Sequence, residues 1–154
     1  MKTNEIRTNQ EVIDSRDIIN RIEELENERT ERIDELEAID ENERTPEEEK
    51  ELQALVNYDF GKDEPEYITE LNKLVKIREQ AENCGDWEYG GYGSPLINDN
   101  YFQEYAQDLA DDLGLIQKEM QWPHTCIDWE AASEALKSDY TEIDFDGVTF
   151  WVRS

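Results

Sequence analysis

The sequence predicts an α+β fold: an N-terminal helical hairpin or coiled coil, then a compact unit of two helices and a C-terminal β-hairpin. Three observations carry this. Apolar residues recur at three- and four-residue spacing through the first half of the chain. A capping box with an early proline (Thr45-Pro46-Glu47-Glu48) and later Gly61 and Pro65 cut that half into segments. Near the end, Asp146-Gly147 separates two stretches in which apolar and polar residues alternate. A chain of 154 residues has room for one domain or two very small ones. The composition places a boundary between an acidic helical coiled-coil region, residues 1–83, and a compact α+β domain, residues 84–154.

In the first region Ile18, Ile22, Leu25, Ile33, Leu36 and Ile39 form the stripe of a helix over about residues 17–41, with Val12 and Ile19 extending it. Arg29 and Arg32 interrupt this seam where apolar residues would be expected. Asp17–Arg21, Glu28–Arg32 and Asp40–Arg44 stand at i,i+4, the spacing of intrahelical ion pairs. A second helix starts at Pro46 and carries Leu52, Leu55 and Val56. A third runs from about Glu66 to Glu82 on Tyr67, Ile68, Leu71, Leu74 and Val75. The connections are short, so neighbouring helices should be antiparallel. The stripes are narrow and need covering by other helices or by a second chain, which leaves a homodimer open. Gly85 to Pro95, with four glycines and a proline, reads as loop.

In the second region Asn98 or Asp99 is placed to cap a helix whose inner stripe is Phe102, Tyr105, Ala106, Leu109 and Leu113, closed by Gly114. Asp128 caps a shorter helix through about Leu136, with Trp129, Ala132 and Leu136 available for packing. The Asp146-Gly147 turn fits a type I′ hairpin. In that register Ile143, Phe145, Val148, Phe150 and Val152 share the core face. Tyr140, Glu142, Asp144, Thr149 and Trp151 share the other, which reads as acidic with one indole.

Charge is the dominant feature. The chain carries 41 acidic and 15 basic residues, a net −26, and an isoelectric point of about 4.1. Aromatic residues make up 10%, more than acidic disordered chains usually carry, so at least part of the chain should fold. This charge excludes direct Coulombic binding to nucleic acid or to an anionic membrane and favours cations or basic protein surfaces. In the first region most acids have nearby bases, the pattern of a solvated helical surface. In the second they do not. From Glu79 to Gln117 there are nine carboxylates and no Lys or Arg. Glu104, Asp108, Asp111 and Asp112 fall opposite the apolar stripe of their helix. Like charges at i,i+4 cost a helix ~0.2–0.5 kcal/mol per pair, so the arrangement works against local stability. Such a row reads either as a device for solubility or adaptation to high salt, or as an imitation of phosphates. Duplex DNA carries about 22 charges over ~37 Å, whereas the helix of residues 17–41, of that length, has a net −8. Mimicry must therefore belong to an assembled surface.

No catalytic constellation emerges. His124, the only histidine, stands two positions from Cys126 and reads as a loop residue. Cys84 and Cys126 have no metal-ligand spacing and are expected as reduced thiols. Asp144-Phe145-Asp146-Gly147 lacks the downstream glutamate of a calcium loop. The glycines of residues 90–93 match no phosphate-binding spacing. No metal or cofactor is expected. Trp87, Tyr89, Tyr92, Trp122 and Trp129 read as packing residues, and Trp151, beside Glu142, as an interface anchor. The chain shows neither a secretory leader nor an apolar run of spanning length, so a cytoplasmic location in the host cell and no membrane are expected.

Three stretches carry a resemblance: Leu96-Ile97-Asn98-Asp99-Asn100-Tyr101-Phe102-Gln103-Glu104-Tyr105-Ala106 with Leu109-Ala110-Asp111-Asp112-Leu113-Gly114; Trp122 to Glu130; and Asp139-Tyr140-Thr141 with Phe145 to Trp151. Over roughly residues 86–153 the chain resembles acidic antirestriction-like proteins of phages and mobile elements, the ArdA type. That resemblance implies a non-enzymatic DNA mimic that occupies the nucleic-acid channel of a host restriction or CRISPR nuclease. Glu104, Asp108, Asp111, Asp112, Glu142 and Asp144 would act as phosphate stand-ins, with Trp151 at the interface. Two alternatives compete: a coiled-coil adaptor working through residues 12–82, and an acidic protein of a salt-adapted organism.

Overall fold

A four-stranded antiparallel sheet lies between two helical layers. The computed structural model describes residues 5–82, 84, 93–116, 119, 121–123 and 125–153. In chain order these form β1 (Val12–Asp14), α1 (Ser15–Glu37), α2 (Pro46–Asn57), α3 (Glu66–Ala81), β2 (Pro95–Asn98), α4 (Phe102–Asp112), α5 (Trp129–Leu136), a short 3₁₀ turn (Lys137–Asp139), β3 (Tyr140–Phe145) and β4 (Val148–Arg153). The sheet order is β1-β2-β4-β3. This is the expected α+β class with N-terminal helices and a C-terminal hairpin. Trp87, Tyr89, Tyr92 and His124 lie outside the described residues.

The hairpin follows from its turn. Asp146 and Gly147 both take positive φ (50° and 83°), as a type I′ turn requires, and Phe145 pairs with Val148. Ile143, Phe145, Phe150 and Val152 then point to one face with Ile13 and Leu96. There they meet Ile18, Ile22 and Leu25 of α1 and Ile68, Leu71, Leu74 and Ile77 of α3. At ~1.5 Å per residue, α1 is about 35 Å long and projects past the sheet. Its outer half is covered by α2, where Leu36, Leu52 and Leu55 are buried together. The stripe of α1 is thus covered within one chain. Val56 of α2 stays exposed.

Several expectations change. Val12 is not part of the first helix: it lies in β1, paired with Ile97 of β2, and the helix begins at Ser15. Asp14 caps it by accepting from the Arg16 amide at 2.9 Å. Ser15, fully buried, exchanges two bonds with Ser94, which ties the helix start to the start of β2. Gly93 precedes it at φ +65°, where a Cβ would lie 2.6 Å from Asp14 Oδ1, so only glycine fits. Because β1 belongs to residues 1–83 and β2 and β4 to 84–154, one sheet and one core cross the boundary read from composition.

The arginines also behave differently from the i,i+4 reading. Arg21 grips Glu70 of α3 with two bonds (2.7 and 2.9 Å), and Arg32 grips Glu51 of α2 likewise (2.8 and 2.9 Å). Arg44 donates to the Leu36 and Ile39 carbonyls and to Glu49. The planar guanidinium matches a carboxylate with two parallel bonds, a geometry that a facing helix offers better than the same helix. Arg29, which breaks the apolar seam, donates to the Leu55 carbonyl at 2.6 and 3.0 Å and stacks over Tyr58, satisfying an orphan carbonyl in the last turn of α2. The capping box at Thr45 and Glu48 forms as the sequence predicts.

Candidate functional site: an acidic face on the second layer

The second sheet face carries Ile97, Tyr140 and Trp151, and α4 packs on it through Phe102 and Tyr105. The Phe102 ring meets those of Tyr140 (5.2 Å) and Trp151 (6.1 Å) edge-on. Ala106 is buried beneath the helix, so Glu104, Asp108, Asp111 and Asp112 are left on its exposed side. Glu142 and Asp144 of β3 alternate with Tyr140, so they point to this same side of the sheet and are exposed. The six predicted phosphate stand-ins therefore share one side of the molecule.

Their electrostatic setting differs from that of the first layer. Among the described residues no ion pair includes any of these six carboxylates. Asp108 accepts only a phenol, Tyr101 Oη at 3.3 Å. Partial burial, then Asp108, then Glu11 and Glu104, push the Tyr101 phenol above its ordinary value, which brings Glu11 from before β1 into the same negative field. The last turn of α4 has no base, so Asp111 and Asp112 stand at the negative end of its helix dipole. Both features oppose stability.

Two placements depart from the sequence reading. Neither Asn98 nor Asp99 caps α4: its N-cap is Tyr101, with no side-chain bond. Asn98 is buried at the end of β2, donating through Nδ2 to the carbonyls of Thr8 and Gln10. Asp99 Oδ1 instead accepts from the Trp151 indole (2.9 Å) and from Lys137 (3.0 Å). Trp151 is accordingly half-buried and held in place rather than a free indole. Lys137, its side chain 15% exposed, also bonds Glu134 at 2.8 Å and lies over the rings of Trp151 (5.0 Å) and Phe102 (5.5 Å). Sequence reasoning missed this cluster because Asp99 and Trp151 are 52 positions apart. Its one local sign is the i,i+3 pair Glu134–Lys137. Asp128 does cap α5, accepting from Ala131 N.

Asp99 has a pH signature. The Trp151 indole and then Lys137 hold its carboxyl below the ordinary value of 3.8. A carboxyl lowered in the folded state contributes stability that is present above its unfolded pKa and lost as pH falls through the folded one. The stability difference between the protein and Asp99→Asn is therefore expected to be level from pH 8 to 5 and to shrink below about pH 4. Urea unfolding across that range measures it, and a difference that is flat to pH 2.5 contradicts the assignment.

Among the described residues no group of three or more His, Cys, Asp or Glu is arranged to hold a metal ion. None of their helices is long and apolar enough to cross a membrane. Cys84 is buried and Cys126 exposed, and both are free. No protein-family model matches the chain, and no curated protein or solved structure is significantly similar to it.

Proposed function

We propose that the protein is a non-enzymatic counter-defence inhibitor whose acidic face occupies the DNA-binding channel of a host restriction or CRISPR nuclease. One contrast supports this reading: five acids of the first layer, Glu24, Glu35, Glu49, Glu51 and Glu70, are paired with arginines, whereas among the described residues none of the six on the second layer is in an ion pair. Solubility alone would not need the separation, because interspersed lysines would serve it and also stabilise α4. The charge density sets the scale. Four carboxylates along the ~16 Å of α4 approach the about 5 phosphates that one DNA strand carries over that length. The row thus resembles one strand of the duplex, with Glu142 and Asp144 on the same face of the sheet. The adaptor reading, in contrast, needs an open apolar seam, and α1 has closed its own against α2 and α3.

A competition assay tests the proposal. The full chain is added to a panel of purified type I and type II restriction enzymes and guide-loaded Cas nucleases, and DNA binding is measured from 50 to 500 mM NaCl. At least one member should lose DNA binding, with the inhibition falling steeply as salt rises. Inhibition of cleavage with DNA binding intact would contradict mimicry.

A further inference from the structure

The C-terminal end of α4 carries something that a phosphate row does not need. Leu113 and Leu115, directly after Asp111 and Asp112, are 64% and 72% exposed. The sequence places Leu113 on the inner stripe, but the helix ends there and turns away. Gly114 at φ +71° makes the turn, with Gly114 N donating to Asp111 O and Leu115 N to Ala110 O, both at 2.9 Å. This is the double-bonded Schellman ending, which usually folds its following apolar residue back onto the helix. Here Leu115 is held by the backbone yet left in water. Further along the same connection to α5, Trp122 is 80% exposed.

We infer that this end of α4 is an apolar anchor joined to the acidic row, and that it seats in an apolar recess bordered by lysines and arginines on the DNA-binding protein that the row engages. The inference rests on the proposed function and names the kind of partner surface. Charge decides the occupant. A second copy would bring another −26 against this end, and an anionic membrane is repelled in the same way. Asp111, Asp112 and the negative end of the α4 dipole make the surroundings of the leucines negative, so a cationic protein surface complements them. DNA itself has no counterpart to the leucines. They add a contribution that salt does not screen and that separates a protein target from any other polycation.

The test compares the full chain with Leu113→Ser/Leu115→Ser and, to keep an apolar side chain at both positions, Leu113→Ala/Leu115→Ala. The probes are the nuclease inhibited in the competition assay and poly-L-lysine, a cation without a recess. Both variants should bind the nuclease at least 10-fold more weakly at 300 mM NaCl, bind poly-L-lysine unchanged, and keep the wild-type circular-dichroism melting curve. Equal nuclease affinity for wild type and both variants overturns the anchor while leaving the mimic intact. A wild-type chain that inhibits no member of the panel overturns both. Sedimentation showing a dimer that the serine variant loses would assign the leucines to a second copy and overturn the partner named here.

Discussion

Replacing Glu104, Asp108, Asp111 and Asp112 together by lysine should weaken displacement of DNA by at least 100-fold, about 2.7 kcal/mol, while the fold survives. The exchange takes the net charge from −26 to −18, four changes of two charges each, so the protein stays strongly acidic. Only the local sign on α4 is reversed. All four side chains are exposed and none forms an ion pair among the described residues, so no buried partner there is orphaned. Surface changes of this kind usually lie within about 0.5 kcal/mol each. Asp111→Lys and Asp112→Lys also place cations at the end of the helix where the dipole favours them, offsetting Glu104→Lys in the first turn. Melting temperature should therefore move by only a few degrees. A variant that still displaces DNA at wild-type concentrations would remove α4 from the interface. One that no longer melts cooperatively would show that the charges serve the fold.

Asn98→Leu should destabilise the protein by about 3 kcal/mol and lower its melting temperature by about 8 °C, through bonds rather than volume. Asn98 is 5% exposed and serves two segments at once. Its Nδ2 donates to Thr8 O and Gln10 O, both at 3.1 Å, while Oδ1 accepts from Asn100 N at 3.0 Å. Leucine fills the space but leaves two carbonyls and an amide without that partner, each worth roughly 1–3 kcal/mol when buried and less where water can reach. The loss should release residues 8–10 from the end of β2. Hydrogen exchange would detect it first at the backbone amide of position 98, which in the unsubstituted chain donates to Glu11 O at 2.8 Å. A destabilisation under 1 kcal/mol in urea would mean that water replaces the amide.

The elements legible in advance were those whose signal is local. A capping box, a type I′ turn and a run of i,i+3 and i,i+4 apolar residues each act within a few positions, so Thr45-Glu48, Asp146-Gly147 and the stripe of α1 could be read directly. β1 and β2 could not. Each is three or four residues long, and Val12 and Ile13 have partners more than 80 positions away. Such a segment is a strand only because another strand is already there, and Val12 continues a helical stripe equally well on paper. The boundary at residue 83 failed to separate two cores for the same reason. Composition is a sum over sequence neighbours, whereas Ile13, Leu96 and Phe150 meet through folding.

For the acidic face the division is similar. That Glu104, Asp108, Asp111 and Asp112 form a base-free row opposite an apolar stripe is readable from the residues alone, because helical spacing and the absence of Lys or Arg are both local properties. What surrounds that row is set by the packing of the whole chain. That packing brings Glu142 and Asp144 to the same side, sends Arg21, Arg29 and Arg32 of α1 into bonds with α2 and α3, and locks Trp151 to Asp99 and Lys137. It also turns Leu113 out of the stripe and into water. Charge, helical phase and turn chemistry are carried by residues close in the chain. Which charges are neutralised, and which apolar groups stay uncovered, depends on surfaces that meet only when the sheet closes between its two layers.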